Sequence, residues 1–449
     1  MKPDKPFYLH SLLIQLVLAF FLMLNLGCKK SPTEIDKPPV IITPPSLELS
    51  VDGVSCTEAW IKVKKLNDTT FLAISLKINE KEFFNGFLAA VDTVLFVDSL
   101  APNTTYTVKG IVLDTVKEIT ITTLPTTSHN FTWQTFTFGE YSNSSLNDVA
   151  IINENNIWAV GEIYLKDSLG NEDPRAYNAV HWDGNNWELK RIYYYGACSA
   201  VQYPPLSAIW AFSDSNIVIT NGGSIGWFDG KKIKLDCGVN PLLTGAINSM
   251  WGTSSSDLYV VGNKGSIAHY NGKTWLKIES QTTLNIFDIW GDYNKRTQDW
   301  ELLAVASNYG TGYEKEILQI IVDKVEKLST STTPTMEPLL CTWFIPNMQY
   351  YVVGAGIYQK RKLSESFWQN NLFTITTYST TSICGNGIND VIGVGAYGDV
   401  VHYNGVNWKN NYSEPRLGSG SYSEVKIKGN LVVSVGSNNR KAVILIGKR

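Results

Sequence analysis

Three short stretches of this chain place a histidine, an aromatic residue, an Asn or Asp, and a tryptophan within eight positions. They are VHWDGNNW ending at Trp187, AHYNGKTW ending at Trp275 and VHYNGVNW ending at Trp408. Taken singly, His269 with Tyr270, Asn271 and Trp275 could coordinate a metal, grip a sugar or build a catalytic pocket. Repetition changes that reading. The tryptophans are 88 and 133 residues apart, two and three times about 44, a spacing typical of propeller repeats. A weaker copy, GWFDGKKI, carries Trp227 in the histidine's place and Ile233 in the tryptophan's. His181, His269 and His402 therefore hold one repeat position in different units and cannot share a metal ion. Each is expected to pin a neighbouring turn by a hydrogen bond. Trp187, Trp275 and Trp408 are expected to pack between adjacent units.

Other chemistry finds little support. Nucleophile-elbow, zinc-protease, phosphate-loop and dinucleotide motifs are missing. Arg175, Arg191, Arg296, Arg361, Arg416, Arg440 and Arg449 match no repeat position, so no arginine cluster of the sialidase kind is legible. No pair of carboxylates stands out at inner-strand ends, as glycosidases require. No catalytic, metal-binding or cofactor-binding residue is assigned, and no cofactor. Cys56, Cys198, Cys237, Cys341 and Cys384 show no Cys-x-x-Cys spacing, and no disulfide can be assigned. Cys341 and Cys384 read as small buried residues. A net charge of −3 gives no electrostatic footprint for nucleic acid.

The elements that carry these residues are strands. The chain is 12% aromatic, rich in Gly and Thr, and only 18% charged, which favours an all-β fold with many turns. A second periodic element runs from an anchor residue to a glycine eleven positions on: Ala150 to Gly161, Trp251 to Gly262, Trp343 to Gly354, Cys384 to Gly395 and Val425 to Gly436. Trp210 and Trp290 begin looser copies. Each unit reads as four strands: an inner strand around the anchor, a VVG strand, a SIAHY strand and an outer KTWLKI strand. The Asn-Gly or Asp-Gly between the last two predicts a type I′ hairpin turn, with positive φ at both residues. Trp210, Trp251, Trp290 and Trp343 are expected to be buried around a central channel, with a ligand platform as the lesser alternative. NFTWQTFTF, ahead of the first anchor, is a spare strand that would complete the last unit and close the ring.

This pattern resembles the bacterial β-propeller repeats related to the sialidase Asp-box family. The Gly-x-x-Trp half of the box is present and the Ser-x-Asp opening is not, so the resemblance implies the architecture and not an Asp-box enzyme. Residues 130–449 are read as a propeller of seven blades, with six or eight as alternatives.

The N-terminus reads as a targeting segment. Lys2 and Lys5 precede an apolar run, Leu12 to Leu24, of signal-peptide length. Leu26-Gly27-Cys28 resembles the lipobox of bacterial lipoproteins, although Asn25 departs from the usual apolar residue. It implies a signal peptide over 1–27, lipidation at Cys28 and anchoring in a bacterial membrane of the cell envelope, with the outer membrane preferred. Residues 28–45 are a Pro-rich tether. Residues 46–125 alternate as short strands, and Leu100-Ala-Pro-Asn-Thr-Thr-Tyr-Thr-Val resembles the fibronectin type III pattern. That resemblance implies a seven-stranded sandwich used as a spacer or adhesion module, with Trp60 in its core and Tyr106 entering it.

Function is sought in the loops that do not repeat. In a four-stranded meander, second-to-third-strand loops and blade-to-blade connections share one face, and the long insertions at 162–178, 193–205, 308–316 and 410–423 fall there. They carry Tyr164, Tyr177, Tyr193, Tyr194, Tyr195, Tyr203, Tyr309, Tyr313 and Tyr412, a side chain suited to rigid amphipathic contacts. The 292–300 insertion lies on the opposite face. The favoured reading is a non-enzymatic binding or adhesion protein that offers this loop face to a protein or glycan. The alternative is a carbohydrate-active protein, a lectin or a glycoside hydrolase or lyase, that uses the propeller channel.

Overall fold

A computed structural model describes residues 44–67, 71–196, 198–308, 314–328, 338–371, 374–411 and 416–449. Cys28 and most of the tether lie outside these. Two sheets come first. Strands Ser46–Val54, Ala59–Leu66 and Asp92–Val97 form one, and Lys81–Leu88, Leu72–Ile78, Thr105–Val112 and Thr115–Thr122 form the other. Alternation sends Leu47, Ile61 and Val63 of the first sheet and Leu76 and Val108 of the second into a shared core. Leu100 joins that core, and the Tyr106 hydroxyl accepts the Ala101 N–H at 2.7 Å. Trp60 corrects the expectation. It is one residue out of phase with Ala59 and Ile61, so it leaves the core and is fully buried on the sheet's other face, 5.4 Å from Phe96.

The remaining strands form seven four-stranded antiparallel sheets. Their inner strands are Ser145–Asn153, Ala208–Ser213, Ile247–Ser254, Asn285–Asn294, Cys341–Ile345, Thr380–Gly387 and Ser421–Lys428, and every anchor residue lies on one of them. Each inner strand packs against the next, and the last packs against the first, so the ring closes. In the first six sheets the chain runs from inner to outer strand. In the seventh, Thr132–Phe138 supplies the outer strand and pairs with Lys441–Lys448. This leaves both chain ends of the ring in one sheet, which locks the circle without an open edge at the seam.

The eleven-residue spacing has a steric cause. A Cβ on Gly161, Gly262, Gly354, Gly395 or Gly436 would lie 2.0 to 2.2 Å from a backbone oxygen at the start of the inner strand beside it. The second strand can end that close only as glycine. The outer hairpins differ from expectation. Gly184, Gly230, Gly272 and Gly405 have φ of 85 to 99°, but the Asp or Asn before each does not have positive φ. Tyr270 pairs with Trp275, so the connection is four residues long and not the two of a type I′ turn. The Asn271 side-chain oxygen accepts the N–H groups of Lys273 and Thr274 at 3.1 and 3.0 Å. Asp183, Asp229 and Asn404 do the same in their turns. The side chain thus stands in for a turn carbonyl and removes the need for a second left-handed residue.

The sandwich sits on the face opposite the long loops. Arg296 meets Asp52 at 2.6 Å, and Arg361 meets Glu58 at 2.6 Å while lying 4.8 Å over Phe96. Met348 packs on Gly53, and Cys56 sits beneath Gly405. The 292–300 insertion, puzzling as a loop-face element, therefore serves the domain junction through Arg296. Replacing Gly262 by Ala should destabilise the protein by about 1–3 kcal/mol, read from the denaturant midpoint, while Gly223→Ala, where φ is not positive and the nearest atom is the Asn221 side-chain oxygen at 3.6 Å, should cost far less.

Candidate functional site

The histidines are structural pins. His181 Nε2 bonds Asn156 Oδ1 at 3.0 Å, His269 Nε2 bonds Asp257 Oδ1 at 2.7 Å and His402 Nε2 bonds Asp390 Oδ1 at 2.9 Å. Each partner opens the second strand, so each histidine ties the third strand to the turn before it. His181 and His269 also stack on Trp158 and Tyr259 at 4.1 and 4.0 Å. His402 goes further. Its Nδ1 lies 2.7 Å from Nδ1 of His129 on the segment entering the ring, and Arg449 closes on Asp390 at 2.5 Å. The tryptophans bridge sheets as expected. Trp275 donates to Asp236 of the second sheet at 2.9 Å, Trp187 packs on Phe136 of the seventh, and Trp408 meets Tyr351 of the fifth edge to face.

Three carboxylates meet in the channel: Asp148, Asp288 and Glu424, with Lys426. They line a cavity of about 360 Å³. No such group stood out among the inner-strand ends in the sequence. The residues are 140 and 136 positions apart, and only ring closure unites them. A signal was present: Asp148 and Asp288 both stand two residues before an anchor, Ala150 and Trp290. Burial pushes the Asp148 carboxyl up to about 7, and the Glu424 charge adds to this against Lys426. Burial also raises Asp288, with Glu424 again contributing. Burial works against the Lys426 charge, but Glu424, Asp148 and Asp288 outweigh it and hold the ammonium well above its ordinary range.

These groups are committed to the ring. Asp148 accepts the Ile209 N–H of the next inner strand at 2.8 Å and the Val149 N–H at 2.7 Å. Asp288 accepts the Thr342 N–H of the next inner strand at 3.0 Å and the Ser249 hydroxyl of the preceding one at 2.8 Å. Glu424 accepts Ser382 Oγ at 2.7 Å and Lys426 Nζ at 3.0 Å. Trp251 and Trp343 are buried as expected, while the half-buried Trp210 and Trp290 line the cavity. Trp290 also lines a second cavity of about 710 Å³, bounded at the sandwich end by Val51 to Val54.

The loop tyrosines divide. Tyr164 donates to Glu162 at 2.8 Å, and burial, with Glu162 beside it, pushes its hydroxyl up to about 12. Arg191 lies 3.9 Å over the Tyr177 ring, and its guanidinium reaches Asp173 at 2.6 Å and the Arg175 carbonyl at 2.8 Å. These bonds join the 164–176 and 191–207 segments. Tyr194 overturns its expectation. It is fully buried, and its hydroxyl donates to the Ser224 carbonyl at 2.5 Å. Strand-like alternation sends it inward and its neighbours outward: Tyr193 is 48% and Tyr195 53% exposed. Tyr203 meets Tyr193 edge to face at 5.8 Å. A disulfide, Cys198–Cys237, ties this segment to the second sheet. No spacing rule pointed to it, because its cysteines are 39 residues apart and belong to neighbouring units. Cys341 and Cys384 are buried free thiols. Tyr309, Tyr313 and Tyr412 lie outside the described residues. Exposed Tyr193 and Tyr195 and half-buried Tyr203 thus form an aromatic cluster on the long-loop face, at the mouth of a groove between the first and second sheets.

No family model matches this chain, and no curated protein does. Solved structures do. One is described as YCF48 bound to a D1 peptide, with a TM-score of 0.51, 14% identity, and coverage of 72% of this chain and 99% of that one. Another is the WD40 β-propeller domain of Doa1, at 0.50 and 12%, covering 71% and 98%. U3-55K matches at 0.50 and 10%, covering 70% and 98%. At such identities the likeness establishes the fold: the ring is a β-propeller.

The Asp148 carboxyl gives a signed pH effect. Its folded value lies above the ordinary 3.8, so the stability it confers is full below about pH 4 and is lost as pH rises through about 7. Asp148→Asn should gain on the wild type in denaturant titrations between pH 5 and pH 8. A difference independent of pH would contradict this assignment.

Proposed function

We propose that this chain is a lipid-anchored, exported binding protein of the bacterial cell envelope. Cys28 carries the lipid, residues 28–45 the tether, a fibronectin type III-like sandwich the spacer, and a seven-bladed propeller the binding surface. The partner is a protein or a glycan, and no catalytic step is assigned. The observation that carries this reading is the rigid loop of the first and second blades. Arg191, buried Tyr194 and the Cys198–Cys237 bridge hold it, while Tyr193 and Tyr195 remain exposed. Pre-organised aromatic side chains bind at low entropic cost. Docking of the sandwich on the opposite face supports the same polarity, with the loops directed away from the tether.

A carbohydrate-active channel is the second reading, and raised Asp148 and Asp288 favour it. Against it, both oxygens of each carboxylate already accept hydrogen bonds, three of the four from neighbouring strands and one, to Asp148, from the adjacent Val149 N–H. If the channel were catalytic, Asp148→Asn and Asp288→Asn would abolish glycan turnover without weakening the fold at pH 7.

Two outcomes are expected. Cys28→Ser should move the protein from the membrane to the soluble fraction, read by immunoblot. Tyr193→Ala with Tyr195→Ala should weaken capture of envelope proteins or arrayed glycans at least about tenfold, a loss of ~1.4 kcal/mol. Unchanged binding to every ligand that the parent chain retains would remove the loop reading.

A further inference from the structure

We propose that the groove between the first and second blades takes an extended acidic peptide segment bearing an apolar side chain beside its carboxylates. This rests on the loop reading above and adds the partner's chemistry.

The groove encloses about 890 Å³. Its inner wall is apolar. Trp158 and Phe228 meet edge to face at 5.1 Å, and half-buried Ile233 and Leu235 project from the outer strand of the second blade. Tyr193 and Tyr195 stand at the loop end. Lys231 and Lys232 stand at the other end, exposed, on the turn that precedes that strand.

Charge decides the class of ligand. Lys190, Arg191, Lys231 and Lys232 line the groove, and no carboxylate does. Acids do border it. Glu188 pairs with Lys190 at 2.5 Å, and Asp173 holds Arg191. Asp229 accepts the backbone N–H groups of Lys231 and Lys232 at 2.8 and 2.6 Å. Neither ammonium of Lys231 and Lys232 forms an ion pair among the described residues. Two cations thus lie beside an apolar wall with no ion pair among the described residues, and the Lys232 charge acts on Asp229 only at longer range. Carboxylates complement the first feature and an aliphatic or aromatic side chain the second. A glycan would stack on the tyrosines but bring no apolar group to Ile233 and Leu235. The wall strand, Ile233–Asp236, is also the outermost of its sheet, so its far edge can pair with an extended backbone. Exposed lysines contribute mainly to selectivity and capture rate, which makes binding salt-sensitive.

The test probes the full chain in detergent with an array of random dodecapeptides and, separately, with polygalacturonate. Bound peptides should be enriched in Asp and Glu together with Leu or Phe. Binding should fall about tenfold in Lys231→Glu with Lys232→Glu, by less in the corresponding alanine pair, and with added salt. Absence of acidic enrichment, or binding unaffected by the charge reversal, would overturn the proposal. Binding of polygalacturonate alone, lost in Tyr193→Ala with Tyr195→Ala, would overturn the peptide assignment and leave the loop reading intact. Acidic-peptide binding that needs the lysines but ignores both tyrosines would leave the groove standing and remove the loop reading.

Discussion

The ring depends on how the inner edges of its sheets are satisfied. Each inner strand pairs on one side only, and its other side faces the channel and the neighbouring blades. Backbone groups left unpaired there would cost about 1–3 kcal/mol each when buried. Short polar side chains meet that need from the preceding blade. Asn147 donates to the Leu206 carbonyl, Ser207 to Ile247, Asn248 to Ile286 and Thr381 to Tyr422, at 2.6 to 3.2 Å. Asp148 and Asp288 accept N–H groups from the blade that follows in the circle. The channel is polar because the blades are fastened there.

That constraint separates scaffold from function. Fastening occupies the carboxylates that would otherwise suggest an active site, and the repeated histidines and tryptophans are occupied in turns and blade contacts. Among the side chains left uncommitted are some of the first and second blades with no counterpart elsewhere in the ring. Tyr193 and Tyr195 point outward because Tyr194 is buried, and Lys231 and Lys232 ride a turn whose backbone Asp229 already satisfies. One buried tyrosine and one disulfide convert a long connection into a fixed surface.

Much of the scaffold was legible in the sequence, for physical reasons that repeat with the blades. Gly262 and its four equivalents recur because backbones meet there in five of the blades, and Trp275 recurs at Trp187 and Trp408 because each wedges against the blade before it. The spare strand Thr132–Phe138 was legible because the last unit lacked a fourth strand. What was not legible depends on contacts between blades or between domains. Cys198 and Cys237 sit in successive units, and Asp148 and Asp288 on distant ones. Trp60 looks like core from its neighbours alone, yet it faces out of the sandwich, where Arg361 stacks on the adjacent Phe96. Asn271 and its kin suggested a two-residue turn from composition, but the side-chain oxygen builds a four-residue one.

The most direct measurement of the fastening is residue-resolved hydrogen exchange at the Ile209 and Thr342 amides. If Asp148 and Asp288 hold the inner edges, both amides exchange as slowly as those inside the sheets, and Asp288→Ala speeds Thr342 while leaving Ile209 protected. Rapid exchange of both amides in the parent protein, or no change at Thr342 in the variant, would contradict the claim that the channel carboxylates fasten the ring.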